Sequence, residues 1–224
     1  MDKRNSRNLI IQHWNGSLPE WARLATETIR RYANACDADW ELVTGYPMGK
    51  ERGILAQKLI FLDERYDKYD DVLLLDTDMV ATNKFENCFN VKGIGRLHQK
   101  GMDTQNGSRN GRKWGHFWKQ GSPMFFGNYI KLNREQRQTI RPYLPNTAQF
   151  VLSKDEGEEP NDEIILSYMM RESRLELIPP MNTNHAKFCD LPEEAAPNAT
   201  LIHFCGGRKR NIVGWIRENR KDIL

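Results

Sequence analysis

Long apolar runs are absent from the sequence. No stretch of the 224 residues approaches the roughly 18–20 apolar residues that are needed to span a bilayer. The charged start leads only into Leu9 to Ile11, which is typical of a buried strand and too short for the apolar core of a signal peptide. We therefore expect no transmembrane segment, and either a cytoplasmic protein or a domain of a larger one.

A strong net charge and a cysteine framework are also missing. Lys and Arg number 33 against 30 Asp and Glu, and the resulting charge of +3 does not by itself indicate binding to nucleic acid or to a membrane. The four cysteines show no CxxC pair and no zinc-ligand spacing. We interpret them as free thiols in a reducing compartment; they are Cys36, Cys88, Cys189 and Cys205.

Two common nucleotide-binding motifs are not found either. The sequence contains neither a GxGxxG fingerprint nor a phosphate loop that ends in Gly-Lys-Ser or Gly-Lys-Thr. If this protein binds a nucleotide, it must hold the phosphates in another way.

Strand and helix patterns alternate through the first 75 residues. This order predicts an α/β fold, with a central and mostly parallel sheet flanked by helices. We expect Ser17 to cap the first helix. The predicted elements are a strand at 8–13, a helix through Trp21, Leu24, Ile29 and Tyr32, a strand at 40–43, an amphipathic helix at 56–66 and a buried strand at 72–75.

The remaining chain predicts shorter elements and one long loop. Glycines and aromatics between Gly93 and Gly121 indicate an ordered loop, and its residues Trp114, His116, Phe117 and Trp118 either line an acceptor site or face the core. The later elements are strands at 124–132, 175–178 and 201–204 and helices at 133–143, 161–171 (capped by Asn161) and 212–220. We expect one domain over 1–224, with a nucleotide-binding half at 1–92 and an acceptor and donor-sugar half at 93–224.

The strongest chemical pattern is the pair Asp76 and Asp78. It directly follows the apolar strand at 72–75, and ligands collect at the carboxyl ends of strands in open α/β sheets. Residues two apart in an extended segment point the same way, so both carboxylates can face one ion. Mg²⁺ and Mn²⁺ prefer oxygen ligands, and Mn²⁺ also accepts an imidazole. A solvated turn with two acidic residues is the alternative.

A second pattern, Leu201-Ile-His-Phe-Cys-Gly-Gly-Arg-Lys, lies far along the chain. His203 offers a third metal ligand, Gly206 and Gly207 offer a close backbone approach to a diphosphate, and Lys209 offers positive charge. Taken alone, a histidine in such a strand is more often a core residue. Together with the Asp-x-Asp pair, it favours a metal site formed by Asp76, Asp78 and His203.

These two patterns together resemble the retaining glycosyltransferases of family 8, the group of glycogenin and the bacterial lipopolysaccharide galactosyltransferases. Asp76 and Asp78 match the family's DxD motif, and His203, Gly206 and Lys209 match its HxxGxxK motif. The resemblance implies a GT-A fold, with Mn²⁺ or Mg²⁺ as cofactor. It also implies transfer of a hexose, glucose or galactose, from a UDP-sugar to a glycan or another hydroxyl acceptor, with retention of configuration.

The resemblance also suggests residues that bind the donor. Lys58 occupies the place of a basic residue that binds the donor in relatives, and Asp162 and Glu163 occupy the place of an Asp-Gln pair beside the donor sugar. The carboxylate of Glu163 could act as a nucleophile or stabilise an oxocarbenium-like transition state. By analogy of fold, the remaining nucleotide contacts are expected at Gln12, His13, Trp14 and Thr77.

The sequence also departs from the family. Met124-Phe-Phe-Gly-Asn keeps Gly127 but loses the polar pair of the family's Asn-Ser-Gly strand, and no Pro-Trp follows Lys209. Three alternatives therefore stay open. They are an inverting GT-A transferase with an acidic general base, a metal-dependent phosphohydrolase and a binding module for nucleotide sugars that has no activity.

Overall fold

A computed structural model describes residues 7–93, 95, 127–146, 162–175, 188–190, 192 and 197–223, and the side chains of these residues except Cys189 and Asp190. The sequence predictions for the aromatic loop, for the Asn161 cap and for residues 124–126 and 176–178 lie outside this part of the chain.

The strands of the described residues form two sheets. The central sheet has the order β2-β1-β3-β5, and the small sheet has the order β4-β7-β6. Strands β2 and β3 are both parallel to β1, whereas β5 is antiparallel to β3. The strands are β1 (Asn8–Trp14), β2 (Ala38–Thr44), β3 (Asp71–Leu75), β4 (Met79–Ala81), β5 (Tyr129–Asn133), β6 (Phe188–Asp190) and β7 (Leu201–His203).

Apolar side chains cover both faces of the central sheet. In β3, Val72 and Leu74 belong to one buried cluster, while Leu73 and Leu75 belong to the cluster on the other face. This alternation follows from the period of two in a strand, and burial on both faces explains why β3 has a continuous apolar sequence. The predicted α/β fold with a mostly parallel central sheet is therefore confirmed.

Helices pack against both sheets. Helix α1 contacts β2 of the central sheet, β4 of the small sheet and α4. Helix α2 begins with a capping box, in which the side chain of Asn133 accepts from the backbone of Gln136 and the side chain of Gln136 accepts from the backbone of Asn133. The α-helices of the described residues are α1 (Glu20–Ala35), α2 (Arg134–Ile140), α3 (Asp162–Glu172) and α4 (Ile212–Asn219).

Two local predictions were wrong. The amphipathic helix expected at 56–66 is instead two 3₁₀ segments, Leu55–Leu62 and Glu64–Tyr66, separated by the extended residue Asp63. Six of the eight residues of the first segment are buried, so it packs on most sides and is not amphipathic. Ser17 does not cap α1, which begins after Pro19 without a side-chain cap. The backbone carbonyl of Ser17 accepts a hydrogen bond from the indole N–H of Trp14 instead.

The strand order brings two chain segments to one edge of the central sheet. Because β1 and β3 are parallel neighbours, their carboxyl ends meet there, and β5 begins at the same edge because it runs antiparallel to β3. The pairing of β4 with β7 places Met79 opposite His203. Among the described residues, no helix has the length and apolar character that crossing a membrane requires.

Candidate metal and nucleotide site

The Asp76-Thr77-Asp78 segment forms a tight turn between β3 and β4. The backbone N–H of Met79 donates to the carbonyl of Asp76 at 3.2 Å, and the N–H of Asp76 donates to the carbonyl of Asn128 at 3.1 Å. The segment is a turn and not the extended chain that the sequence analysis assumed. The turn nevertheless brings both carboxylates to the edge of the sheet.

His203 joins the two carboxylates through the small sheet. Its register opposite Met79 puts it beside the turn, and the backbone N–H of Phe204 donates to the carbonyl of Asp78 at 2.9 Å. One ligand atom from each of Asp76, Asp78 and His203 lies within 4.8 Å of the other two. The structure therefore brings together the three residues that we predicted as metal ligands.

Two lysines balance the carboxylates of this site. Lys58 Nζ lies 2.7 Å from Asp76 Oδ1 and 2.7 Å from Asp162 Oδ2. Lys209 Nζ lies 3.1 Å from Asp78 Oδ2. Three carboxylates thus face two ammonium groups, so the cost of clustering like charges is only partly met by the protein itself. The carboxylates of the site therefore outnumber its ammonium groups, which suits the site to a cation.

The pKa values of the group reflect this balance. Burial raises the pKa of Asp162 to about 6, with Lys58 opposing the shift and Asp76 and Glu163 adding to it. Burial alone would lower the pKa of Lys58, but the two carboxylates outweigh it and the pKa is raised. Burial would raise the pKa of Asp78, yet His203 and Lys209 outweigh it and the pKa is lowered. Lys58 and Asp78 are therefore charged at neutral pH.

The buried oxygen Asp78 Oδ1 suits the site to a metal ion. It lies 3.2 Å from His203 Nε2, and it has no hydrogen-bond partner. A buried carboxylate oxygen without a partner is costly unless something binds it. Two carboxylates and an imidazole form a ligand set that Mn²⁺ accepts.

A cavity of about 260 Å³ opens beside the turn. Seven of the residues expected to bind the nucleotide or the metal line it, which are His13, Trp14, Lys58, Asp76, Thr77, Asp78 and Lys209. The wall also contains three residues that the sequence analysis did not select, namely Asn15, Ile54 and Leu55. Nothing in the sequence pattern singles out these three, because each is an ordinary loop or helix-end residue.

Gln12 and Gly206 do not line this cavity. Gln12 is fully buried; its Nε2 donates to the carbonyl of Asp76 at 3.0 Å and its Oε1 accepts from the indole of Trp40 at 3.0 Å. Gln12 therefore stabilises the turn through the backbone of Asp76 and does not face the cavity. Gly206 has φ +59° and opens the 3₁₀ segment Gly206–Asn211, and it is needed for this left-handed conformation.

Asp162 and Glu163 begin helix α3 next to the turn. Glu163 Oε1 accepts from the backbone N–H of Gly127 at 2.8 Å, and Asp162 reaches Lys58 from the other side. A Cβ atom on Gly127 would overlap the Asp162 carboxylate, so this glycine is required for the close approach of the two segments. Whether either acid contacts a donor sugar stays a prediction.

Asn128 is a further residue of the site that sequence reasoning missed. It is buried, and its side-chain Nδ2 lies 2.6 Å from His203 Nδ1. Asn128 directly precedes β5 and therefore lies at the edge of the sheet where β3 ends. This position could have marked it as a site residue only if the antiparallel pairing of β5 with β3 had been known.

Comparison with known proteins identifies the fold. Neither protein-family profiles nor curated protein sequences match the chain. Among solved structures, a galactosyltransferase LgtC in complex with donor and acceptor sugar analogs matches with a TM-score of 0.58 and 12% identity, over 96% of this chain and 100% of LgtC.

A second solved structure is a glycosyltransferase involved in the glycosylation of the major capsid of PBCV-1. It matches with a TM-score of 0.51 and 14% identity, over 93% of this chain and 99% of its own. At such identities the likeness concerns the fold alone. The chain has the GT-A fold of these glycosyltransferases.

Proposed function

We propose that this protein is a metal-dependent glycosyltransferase that transfers a hexose from a UDP-sugar to a hydroxyl acceptor. The observation that carries the proposal is the convergence of Asp76, Asp78 and His203 beside a cavity that Lys209 also lines. LgtC, whose fold this chain shares, is a galactosyltransferase. The donor is therefore proposed to be UDP-glucose or UDP-galactose.

Asp76, Asp78 and His203 would hold the metal, Mn²⁺ or Mg²⁺. When bound, such a cation offsets charge that develops on a diphosphate leaving group. The metal ion would also join Lys58 and Lys209 in balancing the three carboxylates. The ligand set is mixed, with oxygen and nitrogen atoms, which favours Mn²⁺ over Mg²⁺.

The two lysines have different proposed roles. The side chain of Lys209 is 42% exposed and extends over the ring of Trp21, with Nζ 5.6 Å from the ring centroid. It can reach a diphosphate in the cavity and stabilise its charge. Lys58 is held by Asp76 and Asp162 and is far less exposed, at 15%, so its role is to orient these carboxylates.

Asp162 and Glu163 are proposed to act on the donor sugar. Asp162 would bind sugar hydroxyls. The Glu163 carboxylate would act as a nucleophile or would stabilise positive charge at the anomeric carbon. The nucleophile role gives retention of configuration, because the anomeric carbon is attacked twice from opposite directions: Glu163 first displaces UDP, and the acceptor hydroxyl then displaces Glu163.

The proposal is tested by a thermal-shift series with UDP, UDP-glucose and UDP-galactose, each with and without Mn²⁺. A ligand that binds the folded state raises the melting temperature with its concentration, so we expect the largest rise with a UDP-sugar plus Mn²⁺. Asp78→Ala should remove the Mn²⁺-dependent rise and the turnover. The control Glu218→Ala changes an exposed acid on α4 and should change neither.

The same samples separate the open alternatives. Transfer to an acceptor with retained configuration, read by NMR of the product, supports the proposal, whereas inverted product indicates the inverting class. Hydrolysis of simple phosphate esters without a sugar donor would indicate a phosphohydrolase. Binding of UDP-sugar without turnover on a broad acceptor panel would indicate a binding module.

A further inference from the structure

Asn128 connects the two chain segments of the proposed metal site. Its backbone carbonyl accepts from the N–H of Asp76 at 3.1 Å, and its side-chain amide lies 2.6 Å from Nδ1 of His203. It is only 5% exposed. One buried residue therefore contacts the carboxylate turn through its backbone and the imidazole through its side chain.

The chemistry of imidazole makes this contact consequential. His203 presents Nε2 to the carboxylates, since this atom lies 3.2 Å from Asp78 Oδ1. An imidazole can bind a cation through Nε2 only if that atom carries a lone pair, and the ring proton of the neutral form then sits on Nδ1. A proton on Nδ1 is stabilised by an acceptor at that position.

The Asn128 amide can supply that acceptor. When Asn128 Nδ2 is directed at His203 Nδ1, Asn128 Oδ1 is buried and has no hydrogen-bond partner. No contact at that oxygen therefore fixes the orientation of the amide. Rotation of the amide by 180° exchanges the two groups, which have nearly the same shape. The oxygen then accepts from Nδ1–H of His203.

We propose that Asn128 is a positioning residue for the metal ligand His203. With a divalent cation bound, Asn128 Oδ1 accepts the Nδ1–H bond, which fixes the ring plane and leaves the Nε2 lone pair directed at the cation. The proposal rests on the metal site of the proposed function. It adds a residue that does not itself touch the metal.

Titration calorimetry with Mn²⁺ on four proteins tests the role without any sugar donor. Asn128→Leu keeps the approximate shape but removes the acceptor, and we expect Mn²⁺ affinity to fall by about 10- to 100-fold. Asn128→Asp keeps an acceptor for Nδ1–H, and we expect at least wild-type affinity. The control Asn8→Leu makes the same change at a buried asparagine at the other end of the sheet, in β1, and should bind Mn²⁺ like wild type.

A spectroscopic measurement on the wild-type protein gives an independent result. In the protein loaded with diamagnetic Zn²⁺, which imidazole binds well, nitrogen–proton correlation spectra of His203 should show the proton on Nδ1. Because metal binding through Nε2 alone puts the proton on Nδ1, the hydrogen bond to Asn128 is read from the downfield shift of that proton, which a purely structural role of Asn128 would not produce. It also tests the proposal if Asn128→Leu does not fold.

The outcomes separate this proposal from the proposed function. If the wild-type protein binds Mn²⁺ and Asn128→Leu binds it equally well, the role of Asn128 is overturned while the metal site stands. Asn128→Asp binding as weakly as Asn128→Leu, or a Zn²⁺-loaded His203 whose Nδ1 proton is missing or lacks the downfield shift of a hydrogen bond, would overturn it too. If the wild-type protein binds no divalent cation, both proposals fail.

Discussion

Glu163 accepts a hydrogen bond from the backbone N–H of Gly127 through Oε1, at 2.8 Å. The bond ties the first turn of α3 to the residue that leads into β5. A glutamine in this place can accept the same bond through its own amide oxygen, because acceptance requires no charge. The hydrogen bond therefore explains an acceptor at position 163, but it does not explain why that acceptor is a carboxylate.

Glu163→Gln should accordingly separate structure from chemistry. We expect an unchanged melting temperature, because the bond to Gly127 is retained, and a loss of turnover of about 100-fold or more, because a preorganised charge at a reacting centre is removed. Steady-state kinetics with UDP-glucose or UDP-galactose and Mn²⁺ provides the measurement.

Glu163→Ala is the companion variant, since it removes both the charge and the acceptor, and it should lower the melting temperature as well. Turnover of Glu163→Gln close to that of wild type would exclude the nucleophile role. In that case the role of Glu163 would be structural, as the acceptor of the hydrogen bond from the backbone N–H of Gly127.

Gly127→Ala should destabilise the protein by about 1–3 kcal/mol, the usual cost of overpacking. The new methyl group would overlap the Asp162 carboxylate, which is held by Lys58 at 2.7 Å and cannot move without breaking that pair. Urea denaturation measures the change. In the control Gly214→Ala, the methyl group meets no atom within 4 Å and lies in helix α4, so stability should rise slightly. Equal effects of the two substitutions would contradict the close-approach argument.

The sequence was sufficient to predict where the carboxylate pair lies, although not that it forms a turn, because local and regular features determine its place. An apolar strand followed by Asp76 and Asp78 places acids at the edge of an α/β sheet. His203 was predictable from the glycines and lysine that follow it and from the family motif, but not from strand pairing, because its position depends on the pairing of β4 with β7. Each of these strands has three residues, which is too short for a periodic pattern.

The contacts behind the turn could not be predicted in the same way. By analogy of fold, Gln12 was expected to bind the nucleotide, because it lies near the end of the first strand. The structure pairs it with Trp40 and with the carbonyl of Asp76. Trp40 belongs to β2 and Asp76 directly follows β3. Only the strand order β2-β1-β3 places both of them beside Gln12.

Lys58→Met should show how much the protein depends on the bridge between Asp76 and Asp162. Removing the Lys58 ammonium group takes a partner from the buried carboxylate of Asp162 and from the partly buried one of Asp76, and we expect a loss of about 3 kcal/mol in the free energy of unfolding at neutral pH. The double variant Lys58→Met/Asp162→Asn removes one of these charges, so it should be more stable than the sum of the single effects predicts. Urea denaturation of the two single variants and the double variant gives the coupling. Additive effects would show that Lys58 and Asp162 do not stabilise each other.

The acid stability of the protein should depend on a group of charged residues on α1, outside the site. On α1, Glu27 accepts from Arg30 and Arg31 at 2.8 and 2.9 Å, and the hydrogen bond from Arg30 is the main cause that lowers the pKa of Glu27 from 4.5 to about 2. A lowered pKa in the folded state stabilises the protein above pH 4.5, and this contribution is lost as the pH falls from 4.5 towards 2.

Glu27→Gln should therefore lower the melting temperature at pH 7 and make it less sensitive to pH between 4.5 and 2. The effect should be small, within about 1 kcal/mol, because the arginines are largely exposed. Glu20→Gln serves as the control, since Glu20 lies on the same helix but its carboxylate is 3.6 Å from Arg217 and mostly exposed. The measurement is the melting temperature of each protein across this pH range. If the melting temperatures of wild type and Glu27→Gln change with pH in the same way, the pairing of Glu27 with the arginines contributes no stability.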